Sequence, residues 1–257
     1  MSIASHLPTF IIGGSPRAGT TYLTEGLARH PEVHMARPFV PEPKVFMGPR
    51  QPLEVYHERF RGFFANAGAK PARGEKTTHY LTCEQSCALI RQVIPEVRML
   101  FIVREPVARA YSNYLKTKKA GLENLSFEEA IALEGERPSP LPPDKAYAKP
   151  HDYLTRGDYA TYAERYFKAY GRDRVLFVLH EDIVLRPEKL WKQIQDFIGV
   201  SRLSAQRLDV GVVNSAKEIG PSINPETERR LREQMLPKVR RFAAVSGLDL
   251  ACWGYPR

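Results

Sequence analysis

Cysteine is scarce in this chain, and its scarcity excludes two kinds of architecture. Only three cysteines, Cys83, Cys87 and Cys252, occur among 257 residues. An odd count does not indicate a disulfide framework. No cluster of cysteine and histidine with zinc-ligand spacing surrounds Cys83 and Cys87. We therefore expect reduced structural thiols and no metal site.

Long apolar runs are absent as well. No stretch approaches the roughly 18 apolar residues that a membrane-spanning helix needs. The N-terminal residues do not show the basic region, apolar stretch and cleavage site of an export signal. We expect a cytoplasmic protein without a membrane span. Its oligomeric state cannot be inferred from the sequence.

Acidic residues are outnumbered by basic ones, which gives a net charge of +9. Such an excess favours anionic partners: nucleic acid, acidic lipid or a polyanionic small molecule. A basic helix is predicted from Pro225 to about Val245, but its charges spread around the helix without interleaved aromatics. A solvated face explains this helix better than a nucleic-acid surface. We therefore expect no nucleic-acid partner, and a basic nucleic-acid-binding protein remains the weaker alternative.

Short apolar runs alternate with helical patterns along the chain. Runs at 8–12, 97–103 and 175–179 are typical of buried strands, and helical patterns follow at 20–30, 106–119 and 186–199. This alternation predicts an α/β fold with a P-loop-like, doubly wound parallel sheet flanked by helices on both faces. We expect one domain over 1–257. Two segments near 35–52 and 136–150, with five prolines each, are predicted to be loops or lids.

The segment from Gly14 to Thr21 is the most informative part of the sequence. It follows the first predicted strand, precedes a helix and has two glycines at P-loop spacing, an arrangement whose backbone amides bind phosphate. A nucleoside triphosphatase would need Lys followed by Ser or Thr after Gly19, where this chain has two threonines. The cation is Arg17 instead, so the loop suits phosphate binding better than triphosphate cleavage. The candidate ligand-binding residues are Ser15, Pro16, Arg17, Ala18, Gly19, Thr20 and Thr21.

A second candidate anion site follows the second predicted strand. Arg104 lies at the strand's carboxyl end, where open α/β sheets bind ligands. Ser112 lies about two helical turns further on. A guanidinium and a hydroxyl so placed suit a phosphate group. The structural alternative for Arg104 is an ion pair with a helix carboxylate.

These motifs, in this order, resemble those of the PAPS-dependent sulfotransferases over most of the chain, where PAPS is 3′-phosphoadenosine-5′-phosphosulfate. The resemblance implies that the Gly14–Thr21 loop binds the 5′-phosphosulfate and that Arg104 and Ser112 bind the 3′-phosphate. The product would be 3′-phosphoadenosine-5′-phosphate (PAP). The loop is most similar to bacterial, heparan sulfate and tyrosylprotein members.

Two further segments are similar to those of the glycan-sulfating enzymes. Pro41–Phe46 resembles their K-E-x-x-F-F segment, which implies that Glu42 is the catalytic base. Residues 74–80 resemble G-E-K-[ST]-P-x-Y, which places Lys76 near the transferred group. Thr78 departs from that pattern, where Pro is usual. Lys217 is a candidate phosphate contact, although the Cys-bounded loop of those enzymes is missing.

The implied reaction is in-line sulfuryl transfer to a hydroxyl or amine of a small-molecule or glycan acceptor. Glu42 would take the acceptor proton, Lys76 would bind the sulfuryl oxygens, and Arg17, which cannot donate a proton near neutrality, would stabilise the leaving phosphate electrostatically. His79 is the alternative base. A P-loop kinase is the nearest alternative enzyme. The acceptor, and whether oxygen or nitrogen is sulfated, cannot be inferred from the sequence.

Overall fold

The computed structural model describes residues 6–211 and 222–256. The chain folds into two compact units. The first comprises the described residues of Met1–Val103 and Arg165–Asn214, and the second those of Arg104–Glu164 and Ser215–Arg257. The expectation of one domain stays a prediction.

Five parallel strands form the sheet of the first unit. They are β1 (Phe10–Gly14), β2 (Val33–Met35), β3 (Ala72–Lys76), β4 (Arg98–Val103) and β5 (Val175–Leu179), in the order β2-β3-β1-β4-β5. The reversal of strand order on either side of β1 is the mark of a doubly wound sheet. The predicted fold class is confirmed.

The helices are bounded as follows in chain order: α1 (Thr20–Ala28), α2 (Leu53–Phe64), α3 (Glu84–Val93), α4 (Pro106–Lys119), α5 (Phe127–Ala132), α6 (Tyr159–Tyr170), α7 (Asp182–Leu185), α8 (Pro187–Ile198), α9 (Ala205–Leu208) and α10 (Pro225–Ser246). A short 3-10 turn, Arg172–Arg174, directly precedes β5. In the described part of the chain, no helix is both long and apolar enough to cross a membrane.

Side chains alternate between the two faces of the sheet, and each face is buried. On one face, Ile12 and Ile102 pack in a core with Trp191 of α8. On the other face, Phe101 stacks on its register partner Phe177 with ring centroids 4.9 Å apart. The α6 residues that belong to the first unit cover that second face.

The second unit has its own core. Val107 and Tyr114 of α4, Phe127 of α5 and Met235 of α10 belong to one buried apolar cluster. Glu105 caps the start of α4: its carboxylate accepts hydrogen bonds from the amides of Val107 and Ala108 at 3.2 and 2.6 Å. Such a cap satisfies amides that have no partner within the helix.

Candidate active site

The candidate phosphate loop, Gly14–Gly19 between β1 and α1, requires glycine at both of its ends. Gly14 has φ 149° and Gly19 has φ 96°, which other residues rarely adopt. A Cβ on Gly14 would lie 2.8 Å from the Thr78 carbonyl oxygen and from Leu81 Cβ. A Cβ on Gly19 would lie 2.9 Å from His180 Nδ1. Both glycines are therefore fixed by conformation and by space.

Two amides of the loop are already paired. The Ser15 amide donates to the Ile102 carbonyl at 2.7 Å, and the Ala18 amide donates to the Ser15 carbonyl at 3.2 Å. These bonds tie the loop to β4 and close it on itself. The amides that suit an anion are those at the start of α1, which has Gly19 as its N-cap and no side-chain cap.

The remaining loop residues surround this helix end. Arg17 is half-buried, with φ 69°, and Pro16 beside it is also half-buried. Thr20 is buried and Thr21 half-buried at the first turn of α1. A guanidinium and two hydroxyls therefore share the loop with the helix amides, which together can neutralise an anion.

Glu42 and Lys76 form an ion pair with Lys76 Nζ 3.0 Å from Glu42 Oε1. Lys76 ends β3 and is 5% exposed, whereas the Glu42 side chain is 15% exposed and lies in the loop that follows β2. Lys76 Nζ also donates to the Phe39 carbonyl at 3.2 Å. The structure thus brings together the two residues that the sequence assigned to base and cation.

Thr78 contacts the same carboxylate, a role that sequence reasoning missed. Its amide donates to Glu42 Oε2 at 3.1 Å, and its hydroxyl lies 3.1 and 3.2 Å from the two carboxylate oxygens. Proline at this position would have neither the amide hydrogen nor the hydroxyl. The departure from the family pattern is therefore a gain of two donors to Glu42.

Glu75 lies behind the ion pair and is fully buried. It accepts a hydrogen bond from the Thr77 hydroxyl at 2.5 Å. Burial raises the pKa of Glu75 to about 8 despite this hydrogen bond, and the negative charge of Glu42 adds to the rise. Glu75 is therefore mostly protonated at neutral pH. Nothing in the sequence indicates this protonation, because burial depends on the fold.

The phosphate loop and the ion pair lie at neighbouring strand ends. Lys76 is the register partner of Ile12, two residues before Gly14. The Thr77 amide donates to the Ile12 carbonyl at 3.1 Å, and the Leu81 amide donates to the Gly13 carbonyl at 2.8 Å. Within the first unit, a candidate anion-binding loop, a cation and a carboxylate therefore converge at one edge of the sheet.

Arg104 and Ser112 belong to the second unit. Arg104 directly follows β4, is half-buried, and its carbonyl accepts a hydrogen bond from the Tyr159 hydroxyl at 2.9 Å. It forms no ion pair within the described residues, so the structural alternative for Arg104 is not observed there. Ser112 is buried in the second turn of α4. Their joint role stays a prediction.

Two other candidates have different outcomes. Lys217 lies outside the described residues. His79 lies in the 3-10 turn Thr78–Tyr80, next to the Thr78 that binds Glu42, and is half-buried. Among residues 6–211 and 222–256, no group of three or more His, Cys, Asp or Glu could hold a metal ion.

Comparison with known proteins identifies the family. The family model described as the sulfotransferase domain matches residues 7–218, which is most of the chain. The chain belongs to the sulfotransferase family. The resemblance inferred from its motifs is thereby confirmed.

The relatives of this chain include curated and structurally solved proteins. It is 26% identical over 270 residues to heparan sulfate glucosamine 3-O-sulfotransferase 3B1 of Mus musculus, covering 96% of this chain and 65% of that protein. The chain thus spans a little under two thirds of that relative's length. It matches the crystal structure of a sulfotransferase from Alicyclobacillus acidocaldarius with a TM-score of 0.75 and 26% identity, covering 96% of this chain and 99% of the other.

A third comparison concerns the fold alone. Mouse sulfotransferase SULT7A1, solved in complex with PAP, matches with a TM-score of 0.54 at 15% identity, covering 96% of this chain and 87% of that one. The family fold therefore extends over the described sheet and its flanking helices.

Proposed function

We propose that this sulfotransferase moves a sulfuryl group from PAPS to a hydroxyl or amine of a small-molecule or glycan acceptor, with Glu42 as general base. The observation that carries the proposal is the Glu42–Lys76 pair at 3.0 Å beside the glycine-bounded phosphate loop. PAPS would supply the sulfuryl group and PAP would leave. The complex of SULT7A1 with PAP supports this choice of nucleotide.

The loop fits a phosphosulfate group by two features. The first turn of α1 offers backbone amides without a side-chain cap, and no side chain at Gly14 or Gly19 fills the cradle. Arg17 would stabilise the charge on the departing 5′-phosphate oxygen. It would do so electrostatically, because guanidinium does not release its proton near neutral pH.

Lys76 and Glu42 would act on the transferred group and the acceptor. Lys76 uses one donor for Glu42 Oε1 and one for the Phe39 carbonyl. An ammonium has three donors, so the third would bind a sulfuryl oxygen. Glu42 would accept the acceptor's proton within hydrogen-bond reach as the new bond to sulfur forms.

Arg104 and Ser112 would bind the 3′-phosphate. A planar guanidinium suits this role because two of its N–H groups can bind one phosphate. This assignment rests on the family resemblance and on the position of Arg104 directly after β4. Lys217 keeps its place as a proposed phosphate contact on the same resemblance.

The acceptor class is also a proposal. The curated relative's name specifies a 3-O-sulfotransferase of glucosamine in heparan sulfate, which supports a sugar hydroxyl. An amine or a non-sugar hydroxyl remains within the proposal. A cytoplasmic location is likewise a prediction from the sequence.

One experiment tests the nucleotide and the base separately. PAP binding by calorimetry and transfer from radiolabelled PAPS to a heparan sulfate oligosaccharide or to 4-nitrophenol would be measured for Arg104→Ala and Glu42→Gln. Arg104→Ala should weaken PAP binding about 10- to 100-fold, because a charge-assisted contact is lost. Glu42→Gln should bind PAP normally and lose about 100- to 10,000-fold in kcat.

Matched controls sharpen the outcome. Arg98→Ala removes an exposed arginine from the other end of β4, and Glu54→Gln removes an exposed carboxylate from α2. Full activity of Glu42→Gln would show that Glu42 is not the base and would turn attention to His79. Magnesium-dependent turnover of ATP without PAP binding would replace the whole proposal by the kinase alternative.

A further inference from the structure

The loop that carries Glu42 has no regular secondary structure between β2 and α2, yet it is held at many points. Its partners include Arg59 of α2, which donates to the Pro43 and Val45 carbonyls at 3.0 and 3.2 Å, and residues from the end of β3 and the turn after it. Lys76 Nζ donates to the Phe39 carbonyl at 3.2 Å, and the Phe46 amide donates to the Tyr80 hydroxyl at 3.1 Å. Two contacts between these anchors involve neighbouring threonines.

Thr78 holds the carboxylate of Glu42. Its amide donates to Glu42 Oε2 at 3.1 Å, and its hydroxyl lies 3.1 and 3.2 Å from the two carboxylate oxygens. Thr78 is buried, so water competes little for these donors. Together with Lys76 they limit the rotamers of a side chain that would otherwise be mobile in a loop.

Thr77 holds the backbone of the same loop. Its hydroxyl accepts from the Lys44 amide at 3.0 Å and donates to Glu75 Oε1. Because a hydroxyl has one hydrogen, donation to Glu75 turns a lone pair of Thr77 toward Lys44. Lys44 has φ 50°, a conformation that costs a non-glycine residue roughly 1 kcal/mol. This contact stabilises that conformation two residues after Glu42.

We propose that Thr77 and Thr78 are positioning residues for Glu42. Thr78 acts by binding the Glu42 carboxylate. Thr77, which Glu75 orients, acts by accepting a hydrogen bond from the Lys44 amide. The inference rests on the proposed function of Glu42 as base. Neither threonine touches the nucleotide or the acceptor in this scheme. Both act by fixing the distance between the base and the proton that it removes, where a displacement of about 1 Å can cost on the order of 100-fold in rate.

The test uses Thr77→Val and Thr78→Val, which keep the side-chain shape and remove the hydroxyl. Thr77→Ser and Thr78→Ser restore the hydroxyl. Thr117→Val is the matched control, because Thr117 is also buried and its hydroxyl donates to the Asn113 carbonyl at 2.9 Å. The full chain would be used throughout, with the acceptors named above.

Four quantities are compared for each variant: kcat, PAP affinity, the KM for PAPS and hydrogen exchange at Lys44. Each valine variant should lower kcat about 10- to 100-fold and leave PAP affinity and the KM for PAPS unchanged. Each serine variant should recover most of the rate. Hydrogen exchange at Lys44 should accelerate in Thr77→Val and stay slow in Thr78→Val and Thr117→Val, since only the first removes the acceptor of that amide.

The outcomes separate this inference from the proposed function. If Glu42→Gln is inactive but both valine variants turn over at the parental rate, the positioning roles are refuted while the base assignment stands. Unchanged exchange at Lys44 in Thr77→Val would refute the backbone contact. If Glu42→Gln itself is fully active, the proposed function fails, whatever the threonine variants do. An equal loss of kcat in Thr117→Val would reduce the effect to general destabilisation and overturn the inference.

Discussion

Each of the two proline-rich segments of this chain is anchored to a buried glutamate, but by different chemistry. In the first unit, Lys44 of the segment at 35–52 is connected through the Thr77 hydroxyl to Glu75. In the second unit, Arg137 of the segment at 136–150 pairs directly with Glu123. Both side chains have little solvent exposure, 0% for Glu75 and 5% for Glu123, but Glu75 lies deeper in the protein than Glu123 does.

Their ionisation differs because both their depth of burial and their hydrogen-bond partners differ. Glu123 accepts two hydrogen bonds from Arg137, at 2.9 and 2.7 Å, and one from the Tyr153 hydroxyl at 2.8 Å. Burial alone would raise the pKa of Glu123, but these donors outweigh it and lower that pKa to about 2. Glu75 has neutral hydroxyl donors, and burial raises its pKa to about 8.

Low solvent exposure alone therefore does not determine whether a carboxyl is charged: deep burial favours the protonated form of Glu75, and a cation with matching geometry favours the charged form of Glu123. The charged anchor ties its segment with a bidentate ion pair, which is strong while both partners are present. The neutral anchor lies beside the Glu42 carboxylate without adding a second negative charge there. A neutral anchor suits a candidate active site, and a charged one suits a structural attachment.

The largest predicted effect is on the charged anchor. Glu123→Ala should lower the free energy of unfolding by about 3–5 kcal/mol, because it leaves Arg137 without its partner in a largely buried place. Urea denaturation measures this loss. Glu128→Ala, which removes an exposed glutamate of α5, is the control. A loss below about 1 kcal/mol would place this pair among ordinary surface ion pairs.

The next prediction contrasts the two carboxyls by pH. The pKa of Glu75 is about 8 in the folded chain against 4.5 as its ordinary value, so the folded state keeps a proton that the unfolded state releases as pH rises. This contribution lowers stability between about pH 4.5 and pH 8, by up to roughly 1.4 kcal/mol per pH unit. Glu123, with its pKa lowered to about 2, contributes stability that is lost as pH falls from 4.5 towards 2.

Glu75→Gln should remove the first of these effects. Its stability relative to the parent should rise by about 2 kcal/mol from pH 6 to pH 7.5. Unfolding in urea at a series of pH values measures the difference, with Glu54→Gln as the control for loss of an exposed carboxylate. A difference that stays constant over this range would show that Glu75 is ionised throughout, in contrast to Glu123.

The secondary structure is predictable from the sequence where a strand or helix has its own apolar pattern. The strands β1, β4 and β5 and the helices α1, α4, α8 and α10 were predicted within a few residues, because buried runs and capping signals are local. Strand β3, Ala-Arg-Gly-Glu-Lys, was not predicted, since three of its five residues are charged. Its burial comes from neighbouring strands and not from its own composition.

The candidate site is likewise predictable only where its residues form a local sequence motif. The loop Gly14–Thr21 has a local signature that connects backbone geometry to anion binding, and Glu42 and Lys76 were assigned by family resemblance. Nothing local indicates that Thr78 binds Glu42 or that Glu75 is protonated. The first depends on a contact between residues 36 apart in the sequence, and the second on burial within the folded sheet.

The smallest predicted effect tests whether geometry or charge alone makes the Glu123 anchor. Arg137→Lys keeps the positive charge but replaces two parallel hydrogen bonds by a single ammonium contact. It should cost about 1–1.5 kcal/mol in the free energy of unfolding by urea, less than Glu123→Ala. In the Glu123→Ala background the same substitution should have almost no effect, since a double-mutant cycle isolates the pairwise contribution. An equal cost in both backgrounds would mean that Arg137 stabilises its proline-rich segment independently of Glu123. Glu123 and Glu75 would then differ in protonation but not in how they anchor their segments.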